Sequence, residues 1–259
     1  MNDTPIPAAP VNPHAYVFRG EGTGWYQIFL WCSFRLMMQF LAILFFNIRI
    51  YGREHIPKKG AALLLTNHQS FLDPWLIGIA LYRQIHFVAR ESLFRGGFVQ
   101  YALERTNAFP IKRGRSDAGA MRTCLLRLSQ GHLLNLFPEA TRTPDGTIGS
   151  VGSAVAIIIR RANVPVIPIV IDGAFEAWSR ERPLPRCRRI TVRYGKPIPA
   201  ESLAAMSADE MAVLIRKEFI KLQRESGSPH AAASQDRLDA DSAAGRARLV
   251  VSKEFSGEG

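Results

Sequence analysis

The segment Asn67-His68-Gln69-Ser70-Phe71-Leu72-Asp73 sets an imidazole and a carboxylate five positions apart, directly after the apolar run Ala61-Ala62-Leu63-Leu64-Leu65. A histidine beside a carboxylate can make a hydroxyl nucleophilic near neutral pH. The ring takes the proton, and the acid orients the ring and stabilises the imidazolium that forms. Five residues of one α-helix rotate by about 140°, so the two side chains converge only if they do not share a helix. Asp73-Pro74 is a strong helix start, with Asp at the N-cap and Pro at the first helical position. The expected arrangement is a buried strand over Leu63–Leu65, His68 on a turn, and a helix from Pro74 to about Leu81. Two plainer readings compete: Asp73 as a helix cap alone, and His68 as a hydrogen-bonded structural residue.

Three further blocks add weight. Phe109-Pro110-Ile111-Lys112-Arg113 and Phe137-Pro138-Glu139-Ala140-Thr141-Arg142-Thr143 share one grammar. Each ends an apolar, strand-like run with a proline and then presents cationic side chains in a loop. Val164-Pro165-Val166-Ile167-Pro168-Ile169-Val170-Ile171 is rich in β-branched residues and reads as a buried strand. Guanidinium forks after such strands suit a phosphate, which they hold bidentately. In so basic a chain, a solvated surface charge is the competing reading for each.

Taken in order, the four blocks resemble the glycerolipid acyltransferases typified by lysophosphatidic acid acyltransferase. Asn67, His68 and Asp73 match the family's Asn-His-x4-Asp. Arg113 matches its second block, Phe137, Pro138, Glu139, Thr141 and Arg142 its Phe-Pro-Glu-Gly-Thr-Arg, and Val164 to Val170 its last strand. The resemblance covers about residues 50–200. Ala140 replaces the family's glycine, which would strain the loop if that position needs a positive φ. A lysine common in the family shortly after the third block is missing where Ser150-Val151-Gly152 stands.

The resemblance implies acyl transfer from a thioester, acyl-coenzyme A or acyl carrier protein, to the free hydroxyl of lysophosphatidic acid, giving phosphatidic acid; the same blocks would serve an acyltransferase for another lysolipid acceptor, an alternative that the Ala140 departure keeps open. His68 would be the general base and Asp73 would fix its tautomer. Arg113 and Arg142 would hold the acceptor's phosphate with Glu139, and Asn67 and Thr141 would support them. Glu139 could equally position Arg142 or cap a turn. Backbone N–H groups near the first block are the default expectation for stabilising the oxyanion. No cofactor and no metal is implied. The three cysteines include no Cys-x-x-Cys, and the six histidines include no His-x3-His pair.

The formal charge of +11 is uneven: residues 25–225 carry +13, while both ends are slightly acidic. Such a field attracts anionic lipid, phosphorylated lipid substrates, an acidic carrier protein, coenzyme A phosphates or nucleic acid. A non-catalytic nucleic-acid module would interleave aromatic with basic residues, and that pattern is missing outside the N-terminal apolar segment.

The expected fold is a single α/β domain, a mostly parallel or mixed sheet flanked by helices, preceded by an N-terminal membrane-associated helix. Residues 1–24 read as a flexible arm, 25–49 as that helix, 50–225 as the acyltransferase domain and 226–259 as a disordered tail. Within 25–46 the apolar length could span a bilayer, but Arg35 sits near its middle. A helix in one leaflet or in the interface, on the cytoplasmic face, is therefore favoured over a span. Strands are expected near Ala61–Thr66, Ile85–Ala89, Ala108–Ile111, Leu133–Phe137, Val166–Ile171 and Ile190–Tyr194. Helices are expected near Pro74–Leu81, Asp117–Ser129 and Ala154–Ala162. Ser207-x-x-Glu210 has capping-box spacing and should open an amphipathic helix.

Overall fold

The computed structural model describes residues 36, 39–40, 42–79, 81, 83–94, 107–111 and 118–255. In chain order the elements are β1 (Arg49–Tyr51), β2 (Ala62–Thr66), α1 (Asp73–Ile79), β3 (Ile85–Arg90), β4 (Ala108–Ile111), α2 (Ala118–Ser129) and β5 (Leu133–Leu136). They continue with α3 (Ser153–Ala162), β6 (Val166–Asp172), α4 (Ala174–Trp178), β7 (Thr191–Tyr194), α5 (Ala200–Ala204), α6 (Ala208–Glu225) and α7 (Ala231–Phe255).

The strands form one seven-stranded sheet in the order β1-β7-β6-β2-β5-β3-β4. Only the β6–β7 pair is antiparallel; β2 runs parallel to both its neighbours, β5 and β6. All five residues of β2 are buried, as a strand covered on both faces must be. The side-chain alternation of a strand divides the core in two. Ala62 and Leu64 join Ile167, Ile169 and the apolar face of α1 on one side. Leu63 and Leu65 join Val166, Val170 and the helices α2, α3 and α6 on the other. Each fully buried leucine there contributes about 1.5–3 kcal/mol relative to exposure.

This sheet positions the chemistry. β2 and β5 are in register at Leu65 and Leu136, and β2 and β6 at Leu65 and Pro168. The segments leaving β2 and β5 therefore emerge side by side, at the carboxyl edge where open α/β sheets bind ligands.

One sequence expectation needs correction. The tail from Ser226 is not an unstructured run: α6 ends, Gly227 adopts φ 73°, and α7 follows from Ala231 to Phe255. The alanine-rich composition that suggested disorder is also strongly helix-forming. Ala231, Ser234 and Leu238 lie on one helical stripe, and all three are buried. The expected helix over 25–49 falls largely outside the described residues. Residues 1–35 lie outside the described residues, and 42–46 are helical. Ala42 and Phe46 pack into the core, whereas Leu36, Phe40, Ile43, Leu44 and Phe45 are exposed. Among the described residues, no helix is long and apolar enough to cross a membrane. The capping box at Ser207 and Glu210 forms as expected, with both of its hydrogen bonds present.

Candidate active site

The loop leaving β2 is held by its own polar side chains. Asn67 is buried and bridges to β6, its amide donating to the Ile171 carbonyl at 2.9 Å and accepting from the Ile171 N–H at 2.8 Å. It thus extends the sheet pairing one step past the strand. Gln69 ties the loop to Gly146 and to Phe175 at the start of α4. The Ser70 hydroxyl donates to the Trp178 carbonyl at 2.7 Å.

Within this frame His68 Nδ1 lies 2.7 Å from Asp73 Oδ2. The same carboxylate oxygen accepts from the backbone N–H groups of Gln69, at 2.7 Å, and Ser70, at 2.8 Å. Asp73 is fully buried, and its Oδ1 makes no hydrogen bond. The carboxylate turns back toward residues 68–70 and not forward onto the first turn of α1, so it does not act as an ordinary cap. With Oδ2 accepting two N–H donors, Nδ1 of a neutral His68 must carry the hydrogen, and Nε2 keeps its lone pair. The His68 side chain is 17% exposed, open enough to meet a substrate, and its ring stacks on Phe137 at 4.1 Å between centroids.

The loop leaving β5 is bound to the first. Thr143 N–H donates to the His68 carbonyl at 2.7 Å. Glu139 Oε1 accepts from His68 N–H at 3.3 Å, and Oε2 from Gly149 N–H at 3.2 Å. A Cβ on residue 149 would stand 2.9 Å from Oε2, so only glycine lets the carboxyl approach so closely. Burial pushes the Glu139 carboxyl up to about 8, although the Gly149 and His68 N–H groups pull it down. Ala140 has φ 59°, the left-handed conformation that the sequence pattern reserves for glycine. Thr141 is exposed, and its N–H donates to the Glu139 carbonyl at 2.7 Å.

The Arg142 guanidinium lies 3.5 Å from the centroid of the Phe71 ring. The structure thus gathers His68, Asp73, Glu139 and Arg142 at one edge of the sheet, while Arg113 lies outside the described residues. Most backbone N–H groups of the first block are already engaged. The N–H groups of His68, Gln69, Ser70 and Leu72 already donate to Glu139, Asp73, Asp73 and the Ser70 hydroxyl. Sequence reasoning missed Phe71; its place three residues after His68 was the only available signal.

The second loop is fastened from behind by α7, also unforeseen. Ser234 Oγ accepts from Ile148 N–H at 3.0 Å, and Arg237 reaches Thr147 and Asp145, each at 2.6 Å. Arg216 of α6 meets Asp241 of α7 at 2.5 Å. Among the described residues, no group of three His, Cys, Asp or Glu side chains could hold a metal ion.

His68 and Asp73 thus pair at the carboxyl edge of this sheet, beside a Phe-Pro-Glu turn, and the acyltransferase family model matches residues 47–172. The resemblance to the glycerolipid acyltransferases is borne out more narrowly by individual relatives. The chloroplastic 1-acyl-sn-glycerol-3-phosphate acyltransferase LPAT1 of Arabidopsis thaliana is 30% identical over 132 residues, 50% of this chain and 37% of that protein. The 1-acyl-sn-glycerol-3-phosphate acyltransferase of Bacillus subtilis is 22% identical over 165 residues, 63% of this chain and 80% of that one. The chain thus spans well under half of the plant relative's length. The crystal structure of the 1-acyl-sn-glycerophosphate acyltransferase from Thermotoga maritima shares the fold. Its TM-score is 0.67 at 21% identity, covering 77% of this chain and 80% of that one.

Proposed function

We propose that this protein transfers a fatty acyl group from a thioester donor to the free hydroxyl of lysophosphatidic acid, giving phosphatidic acid. The observation that carries this reading is the His68–Asp73 contact of 2.7 Å, in which two backbone N–H groups fix the carboxylate oxygen facing the ring. His68 Nε2 accepts the hydroxyl proton as the alcohol oxygen attacks the thioester carbonyl carbon. Asp73 stabilises the imidazolium across the Nδ1–H bond. Collapse of the tetrahedral intermediate breaks the carbon–sulfur bond, and the imidazolium returns its proton to the departing thiolate. The ester and the free thiol are the products, and no covalent acyl-enzyme is needed. General-base catalysis of this kind is worth about 10²–10⁴ in rate.

Arg142, and Arg113 with it, would bind the acceptor phosphate, consistent with the +13 charge of residues 25–225. Glu139 fits a positioning role better than a phosphate contact. Its two oxygens face backbone N–H groups, and its raised proton affinity limits repulsion of the phosphate. The exposed Leu36, Phe40, Ile43 and Leu44 support association with the membrane that holds the acceptor, at its cytoplasmic face.

The test is turnover by purified protein given lysophosphatidic acid with acyl-coenzyme A or acyl carrier protein, beside His68→Ala. Wild type should form phosphatidic acid with one donor, and His68→Ala should lose about 10²-fold or more. Turnover by His68→Ala close to wild type would rule out the mechanism. One observation favours a second acceptor class: Ala140 holds φ 59° where the related motif has glycine. Equal turnover of phosphate-free lysolipids would favour that alternative.

A further inference from the structure

We infer that Phe71 is a positioning residue for phosphate recognition, holding the Arg142 guanidinium at the angle from which it meets the acceptor. The inference rests on the reading of Arg142 as a phosphate ligand. Phe71 lies within the same short loop as His68 and Asp73, yet it is 55% exposed and adds little to the core. Its surroundings are specific. Arg142 Cζ stands 3.5 Å from its ring centroid, and Trp178 leans against it at 5.6 Å with the rings tilted by 48°. Trp178 is fixed in turn: its carbonyl accepts from Ser70 Oγ at 2.7 Å, and its indole N–H donates to the Arg182 carbonyl at 3.0 Å.

The backbone already sets where Arg142 begins, because the next residue, Thr143, is pinned to the His68 carbonyl at 2.7 Å. Orienting the tip of a long, rotamer-rich side chain takes contacts at the guanidinium itself. Stacking on an aromatic face does this without using the guanidinium's hydrogen bonds, since the N–H groups lie in the plane and the ring occupies only a face. His68 and the arginine tip are thereby both referenced to the one loop between β2 and α1. A phosphate held by Arg142 is set at a defined reach from Nε2, and Phe71 contributes to choosing acceptors that carry one.

The experiment measures kcat and KM for lysophosphatidic acid in wild type, Phe71→Leu, Phe71→Tyr, Arg142→Ala and the double variant F71L/R142A, with Tm for each. Phe71→Leu should raise KM roughly three- to tenfold, moving KM more than kcat. Phe71→Tyr, which keeps the ring, should restore it. In the Arg142→Ala background, Phe71→Leu should add almost nothing, the sign of a shared function. The same increment in both backgrounds, or a Phe71→Tyr that behaves like Phe71→Leu, overturns the inference and leaves the acyltransferase reading standing. An Arg142→Ala variant with wild-type KM overturns this inference together with the phosphate role of Arg142. Wild type inactive on lysophosphatidic acid with either thioester removes the proposed function itself.

Discussion

Asp73→Asn separates two jobs that a carboxylate usually performs together. An amide has one oxygen and one NH₂, so which of them faces His68 decides the outcome. The structure decides it: Oδ2 accepts from Gln69 N–H at 2.7 Å and Ser70 N–H at 2.8 Å, and an NH₂ in that position would face two donors. The asparagine oxygen must therefore occupy the Oδ2 site, accept the same three hydrogen bonds and preserve the Nδ1–H tautomer. Only the charge opposite the imidazolium is lost. A charge-assisted hydrogen bond exceeds a neutral one by about 1–2 kcal/mol, so kcat should fall on the order of 5- to 30-fold. The NH₂ then takes the place of Oδ1, which is itself buried and without a partner, so the exchange adds little cost there and Tm should change little. Asp73→Ala, which frees both N–H groups and the ring, should be much more damaging to turnover. The assay is phosphatidic acid formation with saturating donor, beside a thermal melt. An Asp73→Asn enzyme as inactive as His68→Ala, with its fold intact, would refute the amide lock.

Other perturbations test other parts of the site. Ala140→Gly should relieve the left-handed alanine at φ 59°, which costs about 1–2 kcal/mol, less the flexibility glycine adds to the unfolded chain. A rise in Tm of about 1–4 °C is expected; a fall would show that the alanine methyl makes compensating contacts. Glu139 titrates at about 8 when folded, above its unfolded value, so its contribution to stability is complete below about pH 4.5 and is lost as pH rises through 8. Melts at stepped pH should therefore show wild type weakening between about pH 5 and 8, and Glu139→Gln should flatten that slope; an unchanged slope would assign it to other groups. Ser234→Ala leaves the buried Ile148 N–H unpaired at a cost of about 1–3 kcal/mol, which a lowered Tm should report. Its kcat should fall as well, because the loosened loop carries Gly149, the partner of Glu139.

The sheet was legible because its strands are short apolar runs bounded by proline, glycine and polar turns. All six expected strands fall within a residue of their observed limits, and so do the helices preceding β5 and β6. β1 escaped notice because Arg49-Ile50-Tyr51 is a three-residue edge strand with no buried stripe. The reversal of β7 was equally hidden, since a strand's sequence does not state its direction. At the site, the His68–Asp73 pairing followed from spacing and helix rules. The direction of the Asp73 carboxylate did not, because it depends on N–H groups that residue types cannot reveal. Glu139 was ambiguous for the same reason. α7 was misread because its composition suits a solvated tail and a helix equally; only contacts with Asp145, Thr147 and Ile148 distinguish them.

Those contacts also set a schedule for biogenesis. Both members of the His–Asp pair leave the ribosome with β2 and α1. The segment that follows the Phe-Pro-Glu turn, by contrast, is braced at Asp145, Thr147 and Ile148 by Ser234 and Arg237, which leave the ribosome about ninety residues after it. A nascent chain thus holds both members of the pair long before the wall opposite them is braced.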